Sequence, residues 1–272
     1  MSPDRAAAPP IPPADLEALA LEITRDIAQG LAYSSRAERI GPDLATGYAV
    51  QDRVAARLLA DGVRRGLAGY KVALNAPAAM ARMGVKEPLS ARLFEDQRCD
   101  SGADLRGKVY RQFAFEPEIA ALIAQDLPPR AAAHDRAAVA GAVSRLVPAL
   151  ELLDPRGLDI AASSLPDVVA QNISNAGVVI GGPGVSVAEF DALRITTTVE
   201  LDDRTVATVT DGLPQHPLDV VAWMADHLAA RGLQLRSGMV VLCGSHTPIQ
   251  HPGAARSVTV TMSGLGRVGV LR

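Results

Sequence analysis

Apolar positions recur at helical spacing near the start of the chain and at strand spacing further on. Behind Pro12 and Pro13, the residues Leu16, Leu19, Ile23 and Ile27 share one helical face before Gly30, which predicts a first helix. A second is expected from about Ala45 to Leu59, turning Tyr48, Ala55, Leu58 and Leu59 toward a partner and stopping at Gly62. Residues 1 to 12 are rich in Ala and Pro and are expected to lack fixed structure. From residue 69 the period shortens. YKVAL and ARLFED read as extended, with NAPAAMARMG a short helix between them. FAFEPEIAALIA and PALELLD read as strand-like, residues 131–145 as helical, and DVVAQN as a helix leading into the buried strand VVIGG. LRITTTVELDDRTVATVT predicts a hairpin turning at Asp202 and Asp203. HPLDVVAWMADHLAARG is the strongest helix, with Leu218, Val221, Ala222, Ala225 and Leu228 on one face, and GMVVLCG and SVTVTMSGLGRVGVL supply the last strands.

These elements divide the chain into a helical portion, 1–68, and a β-rich portion, 69–272, an α+β arrangement without a fixed-period repeat. Strand and helix do not alternate regularly, which argues against a doubly wound sheet or an eight-stranded parallel barrel. GLAGYK and GGPG lack the spacing of a nucleotide fingerprint, so no nicotinamide or nucleoside triphosphate is expected. The 272 residues suffice for a substantial aliphatic core, aromatic residues being only 3%. With 27 Lys and Arg against 30 Asp and Glu, the chain has no basic surplus for nucleic acid. Its apolar runs are too short to span a membrane. Cys99 and Cys243 form neither a disulfide framework nor a metal motif, and a reducing, cytoplasmic setting is the expectation.

The local feature with most chemistry is Phe115-Glu116-Pro117-Glu118. In a strand, two-residue spacing puts both carboxylates on one side, where they repel unless a cation, proton or basic residue intervenes. Pro117 lacks a ladder donor, which favours an edge or site-lining strand. Glu151 is a second polar insertion in an apolar extended run, PALELLD, and three such carboxylates would suit Mg2+ or Mn2+. From local pattern alone, ordinary surface carboxylates, with Glu151 paired to Arg156, remain the commoner arrangement. Cys243 reads as packing material, and His216 and His251, each before a proline, as loop or cap residues.

The order of YAVQ (48–51), GYKVAL (69–74), GV (84–85), FEPEIAALI (115–123), PALELLD (148–154), DVVAQN (167–172), HPLDVVAWMADHLAARG (216–232) and LCGSHTP (242–248) resembles the fumarylacetoacetate hydrolase superfamily. It is closest to the 2-oxopent-4-enoate hydratase and 4-oxalocrotonate decarboxylase branch, over about residues 14–271. The resemblance implies a curved, partly barrel-like β-sandwich with an N-terminal helical portion, assembled as a homo-oligomer. It implies Glu116, Glu118 and Glu151 as ligands of Mg2+ or Mn2+, and Lys71 as a catalytic and substrate-binding group. Arg156, Asn172 and His246 are further substrate-binding candidates, each with an alternative: an ion pair, a helix cap, and a surface or structural histidine near a strand end. Lys71 has one too, as a lysine snorkelling at a strand end. The implied activity is hydration of a 2-hydroxypenta-2,4-dienoate-like acid to a 4-hydroxy-2-oxo acid. The alternatives are decarboxylation of a 4-oxalocrotonate-like 2-oxo dicarboxylate, hydrolysis of a diketo acid, and a metal-binding homologue with altered or absent catalysis.

Three departures bear on that choice. The family's D-S-R reads Asp154-Pro155-Arg156 here, its D-N reads Gln171-Asn172, and the hydroxyl residue after GYKVAL is replaced by Asn75 and Ala76. Pro155 removes a hydroxyl and a backbone donor, and Gln171 removes a proton carrier while keeping hydrogen-bonding capacity.

Overall fold

The computed structural model describes residues 11–190 and 194–272, so most of the Ala/Pro-rich start lies outside the described residues. The helices, in chain order, are α1 (Pro13–Ala28), α2 (Ala37–Ile40), α3 (Leu44–Ala60), α4 (Pro77–Met83), α5 (Arg136–Ala140), α6 (Leu165–Ala170) and α7 (Pro217–Ala229). The strands are β1 (Leu67–Ala73), β2 (Leu89–Phe94), β3 (Arg98–Asp100), β4 (Ala103–Asp104), β5 (Ala114–Ile123), β6 (Val143–Leu153), β7 (Asn175–Ile180), β8 (Gly182–Pro183), β9 (Thr196–Leu201), β10 (Arg204–Thr210), β11 (Val240–Ser245), β12 (Ser257–Met262) and β13 (Gly266–Leu271). None of the described helices is long and apolar enough to cross a membrane.

Two compact units divide the chain. One takes Met1–Arg64 together with Arg156–Ser174, the other Arg65–Pro155 together with Asn175–Arg272. In the helical unit, α1 buries Leu16, Leu19, Ala20 and Ile23, while α3, capped by Asp43, buries Tyr48, Val50, Val54, Ala55 and Leu58. Fully burying each of the larger aliphatic side chains contributes about 1.5–3 kcal/mol. Gly47 lets α3 close on α6, since a Cβ there would fall 2.4 Å from the Pro166 carbonyl oxygen. Between the helices, the fully buried Asp167 accepts from Tyr33 Oη (2.7 Å), Ser35 Oγ (2.9 Å), the Arg36 amide (2.9 Å) and Gln171 Nε2 (3.0 Å). Four donors offset the desolvation of that carboxylate.

The larger unit holds a mixed seven-stranded sheet of order β2-β1-β11-β5-β6-β7-β3 and a second sheet running β10-β9-β12-β13-β4, with β8 on β13. The seven-stranded sheet is strongly rolled, for β2 comes back against β7. Alternation gives it two apolar faces. One carries Tyr70, Val72, Phe115, Ile119, Leu150, Val179 and Val241 and packs against Val199, Val258, Val260 and Val268 of the second sheet and Leu218, Val221 and Leu228 of α7. The opposite, concave face is lined by Ala68, Leu93, Ala120, Ala149, Val178, Val240 and Leu242. The mixed α+β architecture with a helical N-terminal part is thus the one the sequence implies.

One local expectation is corrected and another narrowed. Of residues 131–145 only Arg136–Ala140 is helical, because Asp135 caps the helix late, Gly141 ends it, and β6 begins at Val143. Of the two placings expected for Pro117, an edge or a site-lining strand, the first is excluded: it sits on β5, between β11 and β6, the strand that also carries Glu116 and Glu118. Its carbonyl accepts from the His246 amide at 2.9 Å, so its missing N–H faces β11 where the β5–β11 register slips between Leu242 and Ser245. A bulge there removes the need for a ladder donor. The hairpin does turn at Asp202 and Asp203, both left-handed at φ 47° and 62°.

Candidate metal centre

β5 and β6 pair antiparallel with Glu116 opposite Glu151 and Glu118 opposite Ala149. Residues opposite each other, and residues two apart, share a face, so the three carboxylates meet on the concave side, where small neighbours such as Ala149 leave room. One carboxylate oxygen from each lies within 4.8 Å of the others. Lys71 arrives from β1, which runs parallel to β11 with Lys71 beside Leu242. This approach depends on Gly69, whose φ is +146° and whose Cβ would fall 1.9 Å from the Val240 carbonyl oxygen.

Lys71 Nζ stands 3.0 Å from Glu151 Oε1, with only 3% of its side chain exposed, so it does not snorkel. Asn175 Nδ2 donates to the same Oε1 at 2.8 Å. The other oxygen, Glu151 Oε2, is buried without a hydrogen-bond partner among the described residues. Glu118 Oε2 accepts from the Gly244 amide at 2.7 Å. Burial, reinforced by the Glu151 charge and opposed by Lys71, pushes the Glu116 carboxyl up to about 7. Burial raises Glu118 well above the carboxylate range as well, aided by Glu151 and Glu116 and opposed by the Gly244 amide and Lys71. Burial alone would lower Lys71, but the facing charges of Glu151, Glu116 and Glu118 outweigh it and hold the ammonium above its ordinary value.

One lysine against three carboxylates leaves negative charge in a poorly solvated place. The donor set is oxygen-only, and the orphaned Glu151 Oε2 is a ligand atom with nothing to bind among the described residues. These residues fit a hard divalent cation held by one oxygen from each glutamate, with Lys71 and Asn175 remaining on the far oxygen of Glu151.

Arg156, Asn172 and His246, also singled out in the sequence, do not share one unit. Arg156 and Asn172 belong to the helical unit, where Arg156 donates to the Leu31 carbonyl (3.0 Å) and to Gln171 Oε1 (3.2 Å). Asn172 is buried just past the end of α6, with φ 57°. His246 lies in the larger unit, but its Nδ1 meets Thr197 Oγ1 of β9 at 2.9 Å, which sets the ring against the second sheet. Burial depresses His246 to about 4, so it is neutral. Cys243 is buried and its thiol is raised by desolvation, as befits packing material. His216 caps α7, its Nδ1 accepting from the Leu218 amide at 3.2 Å. Asn175 and Gly244 escaped the sequence reading. Asn175 follows the DVVAQN run closely enough to have been weighed, whereas a backbone amide turned out by a bulge leaves no mark in the residue order.

No protein-family model matches the chain. It is 31% identical over 207 residues to 2-oxo-hept-4-ene-1,7-dioate hydratase of Escherichia coli, covering 74% of this chain and 76% of that protein. It is 31% identical over 237 residues to a 4-oxalocrotonate decarboxylase of a Pseudomonas species, covering 84% and 89%. Among solved structures, 4-oxalocrotonate decarboxylase from Pseudomonas putida G7, complexed with magnesium and adipate, superposes with a TM-score of 0.84 at 25% identity, over 97% of this chain and 99% of that one. Rolled sheet and acidic centre together place the chain in the fumarylacetoacetate hydrolase superfamily. Within it, the chain belongs to the hydratase/decarboxylase branch.

Proposed function

We propose that the chain is a divalent-metal-dependent lyase that decarboxylates an unsaturated 2-oxo dicarboxylate of the 4-oxalocrotonate kind, with Mg2+ or Mn2+ held by Glu116, Glu118 and Glu151. The observation that carries this is the buried cluster itself: three convergent carboxylates, one with an orphaned oxygen, and a charged lysine at 3.0 Å from its other oxygen. The ion, when bound, supplies positive charge that polarises the 2-oxo group. Breaking the bond between carbon 5 and the distal carboxyl releases carbon dioxide and sends the bonding pair through the conjugated chain to the 2-oxygen. Lys71, kept as an ammonium by its acidic neighbours, meets that charge and can hand the oxygen a proton, giving a 2-hydroxydienoate.

Such a reaction needs an electron sink and one proton donor. Hydration needs in addition a group to deliver water at the far end of the conjugated chain. The serine of the family's D-S-R is Pro155 here and the acid of its D-N is Gln171, which supports decarboxylation. The extent of the superposition on the Pseudomonas putida decarboxylase supports it too. Hydration of a related acid is the second reading, favoured by the identity to the Escherichia coli hydratase. One assay separates them: 2-oxohex-3-enedioate and 2-hydroxypenta-2,4-dienoate are supplied in turn with Mn2+ or Mg2+, and carbon dioxide and organic products are followed together. Carbon dioxide from the first substrate is the expected result. A hydrated product from the second without carbon dioxide from the first would select hydration, and no turnover despite metal binding would reject both.

A further inference from the structure

The donor to Glu118 exists only because β11 departs from regular geometry. Leu242 pairs with Ala120 and Ser245 with Glu118, so Cys243 and Gly244 together oppose Ile119 alone. This bulge frees the Gly244 amide from the ladder and turns it to Glu118 Oε2 at 2.7 Å. Gly244 holds φ +105°, a conformation that other residues rarely adopt. The side chains of Asn75 and Pro214 pack against the bulge at Gly244, and Asn75 brings hydrogen bonds to it. Its Nδ2 donates to the Cys243 carbonyl at 3.1 Å and to Gln215 Oε1 at 3.2 Å, and a Cβ on Gly244 would fall 2.5 Å from Asn75 Oδ1. Asn75 is 4% exposed and lies four residues beyond Lys71, after Leu74 turns left-handed at φ 55°. One carboxamide therefore ties the exit of the lysine strand to the bulge that steadies a glutamate.

We propose that Asn75 is a positioning residue for the metal centre. By clamping the Cys243–Gly244 bulge it aims the Gly244 amide at Glu118, orienting that carboxylate for a divalent cation. The inference rests on the metal-dependent reading above. It assigns a task to a position where the family's hydroxyl residue is absent, and it requires no contact between Asn75 and substrate.

The test uses the full chain stripped of metal, with Mn2+ alone as the probe. Titration calorimetry should show that Asn75→Ala weakens Mn2+ binding about 10-fold or more, the usual effect of removing a group that orients a ligand. Amide exchange at Gly244 should quicken in the same variant while the β12 and β13 amides stay protected. Turnover at saturating Mn2+ should recover toward that of the unaltered chain, since the clamp acts through metal retention. Asn75→Ser, which keeps one donor for the Cys243 carbonyl, should fall between the two and stands in should Asn75→Ala fail to fold. Unchanged Mn2+ affinity and unchanged Gly244 protection would overturn the clamp, as would a variant whose only change is a lower unfolding midpoint. An unaltered chain that binds no Mn2+ would instead overturn the metal reading, leaving Gly244 exchange to judge the hydrogen-bond clamp by itself.

Discussion

Loading the glutamate cluster with a divalent ion should expel protons, and the number should depend on pH. Glu116 is pushed up to about 7 from an ordinary 4.5, so at pH 6 that carboxyl alone is about nine-tenths protonated and at pH 8.5 only a few per cent so. Glu118 is raised as well and adds to the count, while Lys71, itself raised, keeps its proton throughout. Binding Mn2+ should therefore release about nine-tenths of a proton from Glu116 at pH 6 and almost none from it at pH 8.5. The linked stability has a definite sign. A carboxyl raised in the folded state binds more protons folded than unfolded, so metal-free stability is highest below pH 4.5 as far as Glu116 is concerned and is lost as pH rises toward 7. The shift from 4.5 to about 7 amounts to roughly 3 kcal/mol, an upper figure because Glu116 shares its field with its neighbours. Calorimetric titrations at pH 6 in two buffers of different ionisation enthalpy would count the protons. Binding heats that do not depend on the buffer would refute the placement of these carboxylates in one poorly solvated cluster.

Four substitutions probe the same arrangement from other sides. Lys71→Met leaves the buried Glu118 and Glu151 and the half-buried Glu116 without their cation, and the metal-free protein should lose about 3–5 kcal/mol in urea titrations, with Mn2+ restoring most of it. Its turnover should drop about 100-fold or more even when metal is saturating, and near-normal turnover would return Lys71 to a structural role. Glu116→Gln and Glu118→Gln should each abolish most activity and most bound Mn2+ while leaving the far-ultraviolet circular dichroism unchanged; full activity with normal metal content in both would remove them from the ligand set. Gly69→Ala should destabilise the protein by about 2–4 kcal/mol, since its Cβ would fall 1.9 Å from the Val240 oxygen, and an unfolding midpoint like the parent's would contradict the close β1–β11 approach.

The site was partly legible because strand alternation is a local signal. FEPE and PALELLD each announce carboxylates in an apolar, extended run, and the fold sets both runs on adjacent strands. That Glu116 faces Glu151 is a matter of register between segments 35 residues apart in sequence, which no local pattern states. Lys71 could be named only by resemblance, because its neighbours in GYKVAL do not reveal which strand β1 will join. The Ala-rich stretch before residue 145 has helix propensity, yet β6 needs Val143 onward as a strand, and tertiary pairing wins over composition. For Pro117 the choice between an edge and a site-lining strand stayed open, because its missing donor is visible in sequence while the bulge that makes it harmless is not.

The pairing of β5 with β6 also has a bearing on how the protein reaches its folded state. A slip of one residue would exchange the two faces of a strand, carrying Glu116 and Glu118 into the layer now filled by Phe115 and Ile119. That layer is built of apolar side chains, so the acidic pair makes the wrong alignment costly in a way that aliphatic residues alone would not. The glutamates proposed as metal ligands would thus also act as a checkpoint on strand alignment, and a chain able to bind Mn2+ would be one whose central strands have already found their places.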